Sequence, residues 1–169
     1  MKLFKKQKGF TLIELLVVIG ILAVLLAITL IAINPARQFS QANDTKRSSD
    51  VNAILNAINQ YMADNAGALP ADFSGCTEAS PCTLTNDAAI TPNVDICEAI
   101  VSGYLAALPV DPLVNDGTAV TEANCVEDPV GPPIIPPYNT SYTVYRSSTN
   151  NRLTVSATGE ITNPISVTR

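Results

Sequence analysis

The chain has 169 residues, enough for one modest domain plus an added segment. It contains no His and no Trp, which excludes Ser/His and Cys/His nucleophile systems and any mixed Cys/His zinc site. The net charge of -5 is unevenly placed: Lys2, Lys5, Lys6 and Lys8 all precede Gly9, whereas from Asp64 onward twelve acids are set against only Arg146, Arg152 and Arg169.

Residues 1–9, MKLFKKQKG, form a short basic leader ending in Gly. Residues 10–33 are an almost unbroken apolar run whose only ionisable residue is Glu14 and whose only glycine is Gly20. As a helix this run is about 36 Å long at 1.5 Å per residue, enough to cross a hydrocarbon core of roughly 30 Å. A basic leader, an apolar run and an acidic body describe an exported chain held with its N-terminus inside. The acidic body also argues against direct nucleic-acid binding, since phosphate contacts need Lys and Arg.

Asn34-Pro35 ends the apolar run, and proline predicts a kink or break there. Next, Val51, Ile54, Leu55, Ile58, Tyr61 and Met62 recur at three- and four-residue steps, opposite Asp50, Asn52, Asn56, Asn59 and Asp64. This predicts an amphipathic helix over about 34–65, with one face needing a partner. Asn65-Ala66-Gly67, then Pro70, supply its stop signal. One long helix from about residue 10 to 65, kinked near Pro35, is expected.

Residues 66–137 are rich in Pro, Gly, Asp, Asn and Thr and hold all four cysteines, Cys76, Cys82, Cys97 and Cys125. An exported chain with an even cysteine count favours two disulfides. Free thiols and a four-thiolate zinc site are the alternatives, although no CxxC pair is present. Of the three pairings, the nearest-neighbour one, Cys76–Cys82 with Cys97–Cys125, is taken as the expectation. A short helix is expected within Ile96–Leu108, and VGPPIIPP reads as a stiff extended connection. Strand signals come late: Tyr142–Tyr145 and Arg152–Ser156 flank a polar turn, and Ile161–Val167 adds a third strand. So small a sheet is marginal alone, so the late strands are expected to wrap the apolar face of the 51–62 helix. The expected class is α+β, with a head over 66–169.

Lys8-Gly9-Phe10-Thr11-Leu12-Ile13-Glu14 resembles the cleavage and methylation signature of type IV prepilins and of the pseudopilins of type II secretion. The likeness covers residues 1 to about 65 in sequence and layout, and the rest in outline. It implies a pilin-like fold: a long N-terminal helix, half membrane-spanning and half amphipathic, against a small antiparallel sheet with disulfide-bearing loops. It further implies that a membrane aspartyl prepilin peptidase cuts after Gly9 and N-methylates Phe10, taking the side-chain charge from -5 to -9 with the loss of four lysines. By the same resemblance, Glu14 meets the new amine of a neighbouring subunit. Partners would be a homo- or hetero-polymeric filament and an inner-membrane assembly platform. The subunit would begin as a single-pass protein of the cytoplasmic membrane and end in an envelope or extracellular filament.

Plainer readings explain less. A secretory signal peptide has a shorter apolar core and a small-residue cleavage site. A bare signal anchor on a non-polymerising domain, or a snorkelling and idle Glu14, leaves the KGFTLIE order unexplained. Two departures from the family are visible: Pro35 lies at the end of the apolar helix rather than within it, and no Cys lies near Arg169. Asp111, Asn115 and Asp116 resemble the calcium loop of the major pseudopilin only faintly, and ordinary turn chemistry explains them as well. No cofactor site and no phosphate-binding Gly loop is recognised, and Asp64, Asp72 and Asp87 read as solvated. Catalysis is not expected. The ample cysteine-bearing loops tilt the reading to a pilus subunit over a secretion pseudopilin.

Overall fold

The computed structural model describes residues 9–125 and 137–169. The basic leader up to Lys8 and all but the last residue of VGPPIIPP lie outside them. The chain divides into two compact bodies, Met1–Phe39 and Ser40–Arg169.

In the first body, α1 runs Leu12–Ile33. Its N-cap is Thr11, in extended backbone, which satisfies donors that the first helical turn leaves open. Asn34 closes it in the left-handed region (φ 47), and Pro35 opens α2, Pro35–Asp64. The expected kink is thus a one-residue break. Proline is tolerated at a first helical position because its missing N–H has no partner there anyway. α2 ends where Ala66 and Gly67 turn left-handed and the Gly67 N–H donates to the Met62 carbonyl at 2.7 Å.

The head is built on the predicted stripe. Val51, Ile54, Leu55 and Ile58 are fully buried, in one cluster with Leu84, Ile100, Leu108, Tyr142, Val144 and Val155. Each large aliphatic side chain so buried contributes about 1.5–3 kcal/mol. Five strands follow: β1 (Cys82–Thr85), β2 (Asn93–Val94), β3 (Asn139–Arg146), β4 (Leu153–Ala157) and β5 (Ile165–Thr168). Their order is β2-β1-β3-β4-β5, with β1–β2 parallel and the rest antiparallel. The expected hairpin is β3–β4, with Val144 opposite Val155.

Several elements depart from the sequence reading. Among the described residues the sheet has five strands, of which β1 and β2 go beyond that reading. β1 is short and set among turn-forming residues, and side chains hold it in place. The Thr140 hydroxyl donates to the Leu84 carbonyl at 2.8 Å, the Thr85 hydroxyl donates to the Tyr138 carbonyl, and Cys82 is bridged. The helix expected in Ile96–Leu108 is only Cys97–Ile100, which we label α3; Val101 is extended and Ser102 left-handed (φ 67). The third strand starts at Ile165, because the amides of Glu160, Ile161 and Thr162 serve a carboxylate instead of a neighbouring strand. A second short helix, Glu122–Cys125, is α4.

Cys76 is bridged to Cys82 and Cys97 to Cys125, and no free cysteine occurs among the described residues. The second bridge closes a separation of 28 residues between α3 and α4. Loop-closure entropy gives it about 3.5 kcal/mol, against roughly 2 kcal/mol for the six-residue Cys76–Cys82 loop. The double variant Cys97→Ser/Cys125→Ser is therefore expected to unfold at lower denaturant than Cys76→Ser/Cys82→Ser. Equilibrium urea titration of both checks this; equal midpoints would contradict it.

Candidate functional site

Every residue of α1 is exposed in the isolated chain, so the helix offers an unpartnered apolar surface about 33 Å long. Leu16, Leu22, Leu26 and Leu30 are each more than half exposed, which no water-facing helix of a monomer sustains. Its one hydroxyl beyond the cap is satisfied internally: Thr29 Oγ1 donates to the Leu26 carbonyl at 2.9 Å. At Gly20 an added Cβ would meet nothing within 4 Å, so its own body makes no demand for glycine there. Gly20 leaves a notch in the apolar surface through which another helix can approach closely.

Glu14 sits at the third helical position and completes a capping box. Its Oε2 accepts from the Thr11 N–H at 2.9 Å and the Thr11 hydroxyl at 2.7 Å, while Thr11 Oγ1 accepts from the Glu14 N–H at 3.3 Å. Oε1 accepts no hydrogen bond among the described residues, and no ion pair there involves Glu14. The carboxylate is thus oriented by neutral donors and keeps one oxygen open. Gly9 and Phe10 precede the cap, outside the helix, and Phe10 is 89% exposed. A Cβ at Gly9 would meet nothing, so the folded chain does not itself require glycine there.

Sequence reading missed a second charged site, in the head. Arg47, only 2% exposed, donates to Asp111 from Nε at 2.6 Å and from Nη2 at 3.0 Å, and from Nη1 to Asp44 at 2.9 Å and Glu160 at 3.1 Å. Asp44 also accepts from the backbone N–H groups of Glu160, Ile161 and Thr162 at 2.8–2.9 Å. These amides, with Thr162 foremost, hold its carboxyl far below the usual range. Burial opposes ionisation of Asp111, yet the Arg47 guanidinium and the Leu113 amide leave it lowered as well. Glu160 is lowered by Asn43 and Ser40, then Arg47. Asp44 and Arg47 at i, i+3 were the only local hint. Their partners lie 64 and 113 residues further along the chain, which no periodicity reveals.

Groups held below their ordinary pKa stabilise the fold above the carboxylate range and lose that contribution as pH falls through it. Asp50, raised by burial against the pull of the Tyr142 hydroxyl, has the opposite sign but stands alone among them. The head is therefore expected to lose thermal stability below about pH 4. Circular dichroism melts across pH 7 to 2 check this; a flat profile would contradict it.

The three calcium candidates do not form an oxygen cage. Both Asp111 oxygens are committed to Arg47, and Asn115 and Asp116 lie exposed on a 3₁₀ turn. The Lys46 ammonium donates to the Gly117 carbonyl of that turn at 3.3 Å. No group of three His, Cys, Asp or Glu suited to a metal occurs among the described residues.

An exposed apolar helix with an oriented carboxylate, joined to a disulfide-bearing α+β head, defines a pilin-like structural subunit. The prokaryotic N-terminal methylation motif matches residues 4–30. Type II secretion system core protein G of Escherichia coli (strain K12) is 33% identical over 116 residues, covering 69% of this chain and 73% of the relative. The protein of the same name from Pseudomonas aeruginosa is 35% identical over 111 residues, covering 66% and 71%, and that of Vibrio cholerae is 33% identical over 116 residues, covering 69% and 72%. No solved structure matches. The chain belongs to the type IV pilin and pseudopilin family, a family of structural subunits. Its one N-terminal apolar helix and its motif fit a membrane-anchored subunit that assembles into a filament.

Proposed function

We propose that this chain is processed between Gly9 and Phe10, N-methylated at Phe10, and assembled through α1 into a type IV-class filament of the cell envelope. The observation that carries the reading is the pairing of a wholly exposed apolar helix with a single oriented carboxylate at its start. Before assembly, lipid covers α1; afterwards, neighbouring copies do. Exposed, non-helical backbone at Gly9 and Phe10 suits a membrane-face prepilin peptidase, and a glycine with no internal role suits a protease that must approach the backbone. Cleavage creates a cation at Phe10, and the open Oε1 of Glu14 is its natural acceptor on an adjacent subunit. That pair sets register in an interface otherwise made of interchangeable Leu, Ile and Val. The basic leader favours an N-terminus on the cytoplasmic side, with residues 34–65 carrying the head beyond the membrane and an assembly platform of the inner membrane extracting the subunit.

A secretion role is the second reading. It is favoured because the relatives are named as core components of type II secretion. Deleting the chain and inspecting cells by electron microscopy beside an assay of exported proteins separates the two. Lost surface filaments with normal export supports a pilus, and intact pili with failed export a pseudopilus. If neither changes, the filament role is wrong.

A further inference from the structure

The turn that Arg47 and Lys46 hold in place presents an apolar side chain outward. Leu113 is 66% exposed, although its own amide is fixed by donation to Asp111 Oδ1 at 2.9 Å. Beyond it, Asn115, Asp116 and Gly117 are all left-handed, at φ 47, 53 and 66. Two non-glycine residues in succession there are strained, and such strain persists only where the surroundings enforce it. Here they do. Arg47 clamps Asp111, Lys46 clamps the Gly117 carbonyl, and a Cβ on Gly117 would lie 2.7 Å from the Lys46 ammonium and 3.2 Å from Pro112 Cα. These contacts anchor the loop, and Leu113 is not buried by it. An exposed aliphatic side chain on an anchored turn can serve as an apolar contact if a complementary surface meets it.

Among the described residues of the N-terminal body, and leaving aside α1 and the Phe10 that precedes its cap, one residue is comparable. Phe39, in the first turns of α2, is 71% exposed. Each of these residues has an exposed charge nearby, and the charges are opposite: Arg37 lies two residues before Phe39, and Asp116 three residues after Leu113. Neither Arg37 nor Asp116 has an ion-pair partner among the described residues. We propose that the loop Asp111–Gly117 is a subunit–subunit contact in which Leu113 of one copy packs on Phe39 of a second copy and Asp116 pairs with its Arg37. The occupant is a second copy because the two half-sites, apolar and charged, complement each other and occur on the same chain. The proposal rests on the filament reading and adds to it a contact outside the apolar helix. It also gives the strained turn and its two cationic anchors a purpose.

The test uses filaments sheared from cells expressing the full chain. Phe39→Cys and Leu113→Cys are combined in one chain and oxidised mildly, then run on non-reducing gels. A ladder of covalent multimers is expected from the double variant and none from either single variant. Separately, Arg37→Asp and Asp116→Arg should each reduce filament yield several-fold, and the combined reversal should restore it. Thermal melts of the detergent-extracted subunits, unchanged by these surface substitutions, show that folding is intact. Normal filaments with no ladder, or reversals that fail to rescue one another, overturn this contact while leaving the filament reading standing. Normal filaments with reduced export of other proteins in Asp116→Arg would assign the loop to cargo and also overturn it. If the unsubstituted chain makes no filaments at all, the filament reading fails and this contact falls with it.

Discussion

Replacing Arg47 with Met is expected to destabilise the head by about 3–5 kcal/mol, more than any surface change. The reason is what remains behind. Asp44 and Asp111 are buried carboxylates, and the guanidinium is the sole side-chain cation bonded to either among the described residues. Removing one partner of a buried ionic cluster leaves uncompensated charge in a poorly solvating site. Asp44 retains its three backbone donors, so Asp111 bears most of the penalty. The melting temperature of the full chain in detergent should fall by roughly 10 °C or more. Reversing the logic gives a control: adding Asp111→Leu to Arg47→Met should recover part of the loss, because it removes the carboxylate that Arg47→Met leaves most exposed to the penalty, while Asp44 keeps its backbone donors. The double variant melting below the single one would contradict the assignment of the penalty to stranded charge.

Replacing Glu14 with Leu is expected to leave the subunit in the membrane and to abolish or severely reduce filaments. Insertion should not suffer, since an ionised side chain in an apolar span costs on the order of 2.5–3.5 kcal/mol at the bilayer centre and somewhat less near its edge. Assembly should suffer at every subunit. A charge-assisted hydrogen bond is worth about 1.5–3 kcal/mol, a factor of roughly ten to a hundred per contact, and a filament repeats that contact along its length. Glu14→Gln separates charge from cap. Its side-chain carbonyl can still accept from the Thr11 amide, so the capping box survives while the anion is gone. Membrane fractionation beside quantified sheared filaments reads both effects. Normal filament yield in the Gln variant would show that the carboxylate acts only as a cap.

How legible the molecule was depended on how far apart the deciding residues lie. α1 was readable because one uninterrupted apolar run states its environment, and Glu14 stood out because it broke that run. The buried face of α2 was readable because Val51, Ile54, Leu55 and Ile58 keep helical spacing. The β3–β4 hairpin was readable because its residues favour strands and its turn is polar. β1 was not. Its four residues gain their strand from the Thr140 hydroxyl, from the Tyr138 carbonyl that accepts from Thr85 and from a bridge to Cys76, none of which is a property of residues 82–85 alone. β5 began late for a similar reason: Asp44, more than a hundred positions earlier, captures the amides just before it. The Arg47 cluster was illegible by the same rule. A polar stretch full of Asp, Arg, Asn and Gln reads as solvated until the two carboxylates that close on it are known. At Glu14 the sequence exposed the oddity but not its local solution, although Thr11 and Glu14 at cap and third position carried the capping-box pattern in plain view.

The most direct measurement is the intact mass and N-terminal sequence of the subunit taken from sheared filaments. A chain that begins at Phe10, lacks residues 1–9 and carries one added methyl group is the expected result. Filaments built from chains that retain Lys8 and Gly9, or that begin at any other residue, would contradict assembly through a freed and methylated Phe10.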